Sequence, residues 1–541
     1  MKRIILMIFS LCLTISACKD EDMNKSFMPF DDLSALMYFQ QSEEYSDWYK
    51  MMEISGLAGA YNFSTTPFTF FTVKNSVLAT YLKEKYGYDR VDQLTQAQAA
   101  ELVKYHTVPN KAYEFTAFRD GKLPDSTSSG DYLSCLFVSG DDGGIFINRV
   151  CRIIKWDIEL VNGMVHELNN VIDPVMYTHY DFLAQDSRYS ILKAAVDITG
   201  TDSLFAQLNL KDLPLKCRRT MFATPDSVFE REGIHNLEDL IQEISPNDAN
   251  YTKEGNPLNM YVRYRLIDGD YTTKELGEIM EYKVVSGITA GSRWPMVDKD
   301  GEGFTLPTLA TNKLIQIQNK SLKYVFNKEM GFIEERQNLQ VRNGFVHEVN
   351  GIMKIFEPKN ILTLFEPTEL VNFQIIKEYR NQDIQATTIS MDAKDFKPNL
   401  TWKSTPANKL GAVGYIAFTK GSYNLIANQF LYGDCLYADL GPVGEVTVIT
   451  RPIPAGTYNI RFFFMRTKRV GGIFQPFLDG EKNGAPEISG YDAEWDSYPY
   501  PMDNQVWEKV TFDETKPHTI TLKVTKPGEL RWDLVRFEPV K

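Results

Sequence analysis

The chain has 541 residues, and a domain typically has roughly 100–200, so the length accommodates about three domains. Hydrophobic residues make up 43% and charged residues 24%, a globular composition that excludes a disordered or fibrous chain. The formal net charge of −13 argues against nucleic acid as a partner, because phosphates attract a basic surface.

The first 17 residues have the organisation of a secretory signal. Lys2 and Arg3 precede an apolar run, residues 4–15, that is too short to span a membrane. The run ends in Ile15-Ser16-Ala17-Cys18, which resembles a bacterial lipobox. The resemblance implies cleavage before Cys18 and attachment of lipid to that residue, which would hold the chain on a membrane. An ordinary cleaved signal peptide is the alternative.

Residues 18–29 are predicted to form an acidic tether. Lys19-Asp20-Glu21-Asp22 follows Cys18 directly and resembles the surface-export signal of Bacteroidetes lipoproteins. That resemblance implies an outer-membrane protein whose domains face the cell exterior. The alternative is a solvated tether without an address function, as charged runs usually are.

An internal repeat organises the first two thirds of the chain, since four blocks recur in the same order with a growing offset. Because the offset grows, the second copy is expected to carry insertions. The recurring blocks are Tyr45-Ser46 with Tyr189-Ser190, Phe71–Val77 with Phe222–Val228, Val103–His106 with Val262–Arg265, and Asn162–Asn169 with Asn343–Asn350.

The blocks predict helices first and antiparallel strands afterwards, an α+β unit. Gly56 and Gly200 are expected to end helices, because glycine adopts the left-handed conformation of a C-cap. Asn75 and Asp226 are predicted as N-caps. Thr95-Gln96-Ala97-Gln98 is a capping-box pattern that opens a helix. Each Asn-Gly pair predicts a turn followed by a strand.

These blocks resemble the fasciclin-type domain, whose pattern has an early Phe-Thr-x-Phe block, a central Tyr-His pair and a late Asn-Gly-x-x-His block. The resemblance covers residues 30–178 and 185–357, and it implies two tandem domains of helices plus an antiparallel β-sandwich or wedge. The late block is closely matched in both copies. The residues that carry this structural motif are Asn162, Gly163, His166, Asn343, Gly344 and His347.

The repeated histidines are interpreted as structural, each hydrogen-bonded in the core to its own turn, and not as catalytic groups. No nucleophile motif accompanies them, so neither an enzyme nor a cofactor is predicted. In animal relatives of the resembled family, the Tyr-His position is tied to receptor binding. Tyr105 and His106 are therefore ligand-binding candidates, although Arg265 departs from the pattern in the second copy.

The cysteines predict neither a metal nor a redox site, because their spacing matches no such motif. Cys135 and Cys151 could pair, and the sequence leaves that open. Asp298–Gly303 faintly resembles a calcium loop but lacks its carboxylate spacing, so a solvated turn is favoured.

Residues 366–541 read as a different, all-β domain. Short alternating strands separated by Gly, Pro and Asn turns predict a jelly-roll-like sandwich, and the pattern resembles galactose-binding-like modules. Trp532 alternates within a strand and is expected in the core. Trp495, Tyr498 and Tyr500 lie in a Pro-rich stretch and are the glycan-stacking candidates, with loop packing as the alternative.

The sequence thus predicts a surface-exposed lipoprotein that binds a glycan or another surface protein without catalysis. The alternative is an accessory lipoprotein subunit of a TonB-dependent outer-membrane importer of the starch-utilisation type. The expected partners are a glycan or protein ligand, importer components in the alternative, and the membrane through the lipid anchor.

Overall fold

The computed structural model describes residues 33–62, 67–140, 143–209, 216–276, 304–320, 323–327, 329–371, 387–390, 395–406, 412–417, 434–466, 471–491 and 500–540. The chain divides into two compact units, residues 1–175 and 176–541. The first unit holds one copy of the repeat. The second holds the other copy together with the C-terminal third.

Two helix boundaries of the first unit, at Gly56 and at Thr95, lie where the capping residues predict. Helix α2 ends at Gly56, which adopts φ +75° as a left-handed C-cap. The Thr95 hydroxyl accepts a hydrogen bond from the Gln98 backbone N–H, and the Gln98 side chain accepts from the Thr95 backbone. This capping box confirms the prediction. The helices are α1 (Ala35–Gln41), α2 (Ser46–Ser55), α3 (Asn75–Tyr86) and α4 (Gln96–Tyr105).

One mixed sheet follows, in the order β2-β1-β7-β6-β5-β4-β3. Strands β1 and β7 run parallel, and every other neighbouring pair in this sheet is antiparallel. The second copy also contains one parallel pair, so the expected antiparallel arrangement has one exception in each copy. Every residue of β1 and β7 is buried, as in sheets covered on both faces. The strands are β1 (Phe68–Thr72), β2 (Thr107–Pro109), β3 (Gly121–Ser126), β4 (Tyr132–Val138), β5 (Gly144–Ile147), β6 (Cys151–Leu160) and β7 (Gly163–Leu168).

The second unit begins with a helix that the sequence had left between domains. Helix α5 starts directly after Thr178, whose hydroxyl forms a capping box with Asp181. The His179 N–H donates to Asn343 Oδ1 at 3.0 Å, which ties this helix to the second copy. The residues between the two expected domains, 179–185, therefore pack with the second copy. The helices are α5 (His179–Gln185), α6 (Ser190–Ile198), α7 (Asp202–Ala206), α8 (Asp226–Arg231), α9 (Leu237–Ile244) and α10 (Pro257–Arg263).

The second copy repeats the central geometry of the first. Its β8 and β15 run parallel with Phe222 opposite His347, as Phe71 stands opposite His166 in β1 and β7. One sheet runs β14-β15-β8-β9 and another β10-β11-β12-β13. The strands are β8 (Arg219–Ala223), β9 (Leu266–Asp268), β10 (Phe304–Pro307), β11 (Leu314–Lys320), β12 (Lys323–Phe326), β13 (Met330–Gly331), β14 (Leu339–Val341) and β15 (Gly344–Glu348).

Asn75 and Asp226 are not the N-caps of their own helices, and this prediction was wrong. Each is the first helical residue, and its side chain bonds instead to the start of an earlier helix. Asn75 Oδ1 accepts from the Asp47 N–H at 3.0 Å. Asp226 accepts from the Ser190 and Ile191 N–H groups at 2.9 and 3.1 Å. The sequence pattern correctly marked a helix start, but tertiary contact decided which helix receives the oxygen.

The C-terminal third is a sandwich of two antiparallel sheets. One runs β17-β19-β20-β27-β22-β25, with β16 also paired to β27, and the other runs β18-β21-β26-β23-β24. The strands are β16 (Thr363–Phe365), β17 (Thr387–Ser390), β18 (Leu400–Lys403), β19 (Val413–Ala417), β20 (Asp434–Ala438), β21 (Glu445–Ile449), β22 (Gly456–Arg466), β23 (Ile473–Leu478), β24 (Ile488–Ser489), β25 (Tyr500–Phe512), β26 (Thr519–Lys526) and β27 (Leu530–Pro539).

The sandwich core is aromatic and lies between the two sheets. Trp532 is fully buried, as expected, and its ring stacks on Phe462 at 5.5 Å. A stacked pair of this kind contributes about 0.5–1.5 kcal/mol beyond the area it buries. Because β16 pairs with β27, the sandwich takes in residues upstream of 366, the boundary expected from the Phe365-Glu366-Pro367 edge.

Replacing Gly163 with alanine should strongly destabilise the first unit. The added Cβ would lie 2.1 Å from the Phe68 carbonyl oxygen, and φ of +153° is strained for any L-residue. We expect the free energy of unfolding to fall by about 2–4 kcal/mol, measured by urea denaturation. Gly59→Ala is the control, because nothing lies within 4 Å of its Cβ. Equal effects of the two substitutions would contradict the close-approach argument.

Candidate functional site

The Tyr105 and His106 candidates lie in the core of the first unit. Tyr105 is 2% exposed and His106 is 1% exposed. The Asn148 side-chain amide donates to the Tyr105 hydroxyl at 3.3 Å, and the Trp48 ring packs on the imidazole. Ligand binding by this pair stays a prediction, and it would require the core to open.

His106 joins the end of helix α4 to a later segment of the first unit. Its Nδ1 lies 2.8 Å from the Leu102 carbonyl oxygen, and its Nε2 accepts from the Ile172 N–H at 2.9 Å. One nitrogen donates while the other accepts, which requires the neutral imidazole. In the second copy Arg265 occupies the matching position and donates to the Ile352 carbonyl oxygen at 2.7 Å.

His166 and His347 are core residues, as expected, but they do not bond to their own turns. His166 Nε2 lies 2.8 Å from the Tyr113 carbonyl oxygen, and its Nδ1 accepts from the Asp157 N–H at 3.4 Å. His347 repeats this with the Tyr271 carbonyl at 2.8 Å and the Asn338 N–H at 3.1 Å. Each ring therefore joins the backbone nine residues before it to a loop that lies much further back in the sequence.

The Asn-Gly pairs hold the helices against the sheet. Asn162 Oδ1 accepts from the Ala35 N–H at 2.8 Å, and its Nδ2 donates to the Tyr61 carbonyl at 2.8 Å. Asn343 makes the same contacts with the His179 N–H and the Phe205 carbonyl. The six motif residues thus build the fold.

The buried histidines predict a loss of stability in mild acid. Burial lowers the pKa of His106 and of His347 to about 4. The unfolded chain, with histidine pKa near 6.5, takes up these protons first. Stability is therefore complete above about pH 6.5 and falls as the pH drops toward 4, at up to about 1.4 kcal/mol per pH unit for each histidine.

Urea denaturation between pH 7.5 and 5 measures this slope. His347→Gln should lower the free energy of unfolding at pH 7.5. Below pH 6.5 it should also reduce the pH dependence of that free energy by the contribution of one histidine, up to about 1.4 kcal/mol per pH unit. His235→Gln is the control, because His235 lies on the surface. A slope unchanged by His347→Gln would contradict the assignment of a neutral buried ring.

The remaining candidate residues, for lipidation and for glycan stacking, lie outside the described part of the chain or have side chains outside it. Cys18, Trp495 and Tyr498 fall outside the described residues. Tyr500 is the first residue of strand β25, and its side chain also lies outside the description. The Asp298–Gly303 segment lies outside the described residues as well.

The described cysteines are buried free thiols, so Cys135 and Cys151 are not paired in this structure. Burial raises the pKa of both to about 12, which keeps them protonated and unreactive. Within the described residues, no group of three or more His, Cys, Asp or Glu side chains is arranged to hold a metal ion.

A cleft of about 390 Å³ opens at one end of the sandwich, and we name it the Tyr491 cleft. Gly471 and Gly528 line it, and glycines of three segments are in close contact there. A Cβ on Gly471 would lie 1.8 Å from the Gly490 carbonyl oxygen, and one on Gly472 would lie 2.7 Å from that of Gly528. The lining residues are Asp439, Gly471, Tyr491, Lys526, Pro527, Gly528 and Glu529.

The Tyr491 ring is half-buried and is held beside polar groups. The Ser489 hydroxyl donates to the Tyr491 carbonyl at 2.9 Å and so fixes the local turn. The Lys526 ammonium lies 4.0 Å from the centre of the Tyr491 ring. Glu529, which also binds Arg531 at 2.9 Å, supplies carboxylate oxygens at the edge of the cleft. The arrangement combines an aromatic face with donors and acceptors, as sugar-binding surfaces require.

The sequence analysis did not identify Tyr491 as a candidate binding residue, although it named Trp495, Tyr498 and Tyr500 in the segment that follows. The Gly471-Gly472 pair and Gly490 were available signals, because glycine in a strand region marks close approach of another backbone. The approach of Lys526 and Glu529, however, depends on pairing between β23 and β26, which sequence separation conceals.

The comparisons with known proteins agree with the fold. The Fasciclin domain family model matches residues 43–174. A fasciclin domain pair from the insect cell adhesion molecule fasciclin I is 14% identical, with 57% of this chain and 95% of that chain covered and a TM-score of 0.25. No curated protein sequence matches the chain. The fold class, α+β units followed by an all-β sandwich, is confirmed.

Two carbohydrate-binding modules resemble the sandwich. One is the CBM36-1 domain of a multidomain xylanase from the hindgut metagenome of Trinervitermes trinervoides, with 11% identity, 34% and 99% coverage of the two chains and a TM-score of 0.17. The other, TmCBM61 in complex with β-1,4-galactotriose, has 15% identity, 26% and 89% coverage and a TM-score of 0.17. Likenesses of this size carry no ligand over to this chain.

No helix in the described ranges is long and apolar enough to cross a membrane.

Proposed function

We propose that this chain is a non-catalytic binding protein that recognises glycan through the Tyr491 cleft of its C-terminal sandwich. The observation that carries the proposal is the half-buried Tyr491 ring with the Lys526 ammonium over it, in a cleft that Glu529 also lines. The flat face of a pyranose carries C–H groups that pack on an aromatic ring, while its hydroxyls need donors and acceptors around the rim.

The contacts of the free cleft permit such a ligand. The Lys526 ammonium over Tyr491 is an exposed cation–π contact worth only about 0.5–1 kcal/mol, so a sugar can displace it at small cost. Once displaced, Lys526 becomes a donor to sugar oxygens. Glu529 can accept from hydroxyls while it keeps Arg531, because a carboxylate has about four acceptor positions.

Trp495, Tyr498 and Tyr500 remain the further glycan-stacking candidates of this proposal. Trp495 follows Tyr491 by four residues in the sequence. We infer that these rings extend the aromatic surface beyond one sugar, which would favour an oligosaccharide over a monosaccharide.

Tyr491→Ala should weaken retention on the bound glycan by about tenfold, because a buried sugar–aromatic stack is lost. A glycan array with the full chain identifies the ligand, and isothermal titration then measures the affinity. Phe477→Ala is the matched control, since Lys523 of β26 lies over the Phe477 ring of β23 at 4.7 Å, outside the cleft. Equal retention of wild type and Tyr491→Ala on every bound glycan would contradict the proposal.

We further propose that the protein is a lipid-anchored outer-membrane protein facing the cell exterior. The support is the signal-like start, Cys18 and the acidic run after it. Cys18→Ser should abolish lipid labelling and release the protein from the membrane fraction. Wild-type protein should be digested when intact cells are treated with protease. Labelled Cys18→Ser protein would contradict the anchor, and protection of the wild type would contradict outward display.

The importer alternative makes a separate prediction about partners. A C-terminally tagged chain, extracted from outer membrane in mild detergent, would co-purify with a stoichiometric β-barrel importer. Recovery of the protein alone would favour a free-standing adhesion protein.

A further inference from the structure

A second cleft, of about 290 Å³, lies at the opposite end of strands β23 and β26 from Tyr491, and we name it the His518 cleft. Strand β26 runs from Thr519 to Lys526, so the two clefts are separated by about 25 Å. Its polar lining residues include Asp479, Glu481, Asp513, Glu514, Lys516 and His518. Nothing in the proposed glycan site uses these residues.

The His518 imidazole is held firmly in the wall of the cleft. Only 2% of it is exposed, and its ring stacks on Phe512 with centres 3.7 Å apart. Its Nδ1 lies 2.7 Å from Asp479 Oδ2, while Asp479 Oδ1 accepts from the Thr519 N–H at 2.8 Å. The carboxylate can only accept, so Nδ1 carries the proton and donates.

The other nitrogen of this ring has no hydrogen-bond partner. His518 Nε2 is buried and unpaired, and since Nδ1 holds the proton, Nε2 presents a lone pair. Burial lowers the pKa of His518, which favours the neutral ring. A buried acceptor without a partner is costly, so the site favours an incoming donor.

The rest of the lining is acidic and rich in acceptors. Glu514 lies 3.3 Å from the Lys516 ammonium, which offsets its charge. Glu481 and Asp513 are exposed at the cleft and add two further carboxylates. The described acidic groups are not arranged as a metal site. The cleft therefore suits an organic cation that also carries hydroxyl donors.

We propose that the His518 cleft binds a small ligand with a primary ammonium group beside hydroxyls, of which an amino sugar with a free amine is the simplest. The ammonium lies among the carboxylates of Glu481 and Asp513, and a neighbouring donor reaches His518 Nε2. The cleft volume accommodates about one such ring.

Isothermal titration of the full chain at pH 6 with glucosamine, N-acetylglucosamine and glucose tests this. We expect binding of glucosamine only, because acetylation removes the positive charge. At pH 9 binding should be lost, since an amine with pKa near 8 is then neutral. Absence of glucosamine binding, or equal binding of all three sugars, would overturn the proposal. So would binding of lysine methyl ester with no binding of glucosamine.

The double variant Glu481→Gln with Asp513→Asn locates the site. Both side chains are exposed, so folding should be unaffected, and the affinity for glucosamine should fall at least about tenfold. Glu487→Gln is the matched control, an exposed glutamate of the same sandwich outside the cleft. Tyr491→Ala should also leave glucosamine binding unchanged, which separates this site from the proposed glycan site. Unchanged affinity in the double variant would overturn the assignment to this cleft.

Discussion

The first unit and the second copy of the repeat both depend on one Asn-Gly pair at the start of a central strand. The glycine lets the strand approach its parallel neighbour so closely that a Cβ on Gly344 would lie 1.7 Å from the Arg219 carbonyl oxygen. The asparagine before it reaches back to the first N–H of a helix and to a carbonyl after that helix. Sheet and helices are thus joined by a single buried side chain, and burial makes each of these bonds costly to lose.

Around this pair the two copies keep the same polar bonds. In both, a buried tyrosine donates to a buried glutamate, Tyr45 to Glu167 and Tyr189 to Glu348. At one place the polarity is reversed, because His106 accepts from the Ile172 N–H whereas Arg265 donates to the Ile352 carbonyl. The Arg265 guanidinium also lies over the Tyr261 ring at 4.4 Å. What the fold requires at this position is a satisfied bond, and either polarity supplies one.

In the sandwich, the two proposed binding sites lie at opposite ends of strands β23 and β26. At one end glycines bring three backbone segments together and set Tyr491 beside Lys526. At the other end the turn after β23 and the turn before β26 bring Asp479 to His518. The paired strands between them form a rigid support, and binding groups on such supports belong to the connecting loops.

The sequence by itself determined the repeat, the fold class, the helix ends at Gly56 and Thr95, and the burial of Trp532, because these follow from periodicity and local backbone preference. Only the tertiary structure decided that Asn75 and Asp226 cap a neighbouring helix and that His166 bonds to a distant loop. It alone brought Tyr491 to Lys526 and left His518 Nε2 unpaired. Hydrogen bonds between residues far apart in the chain produce no recognisable pattern in the sequence. The partner of a polar side chain can therefore be identified only once the pairing of the strands is known.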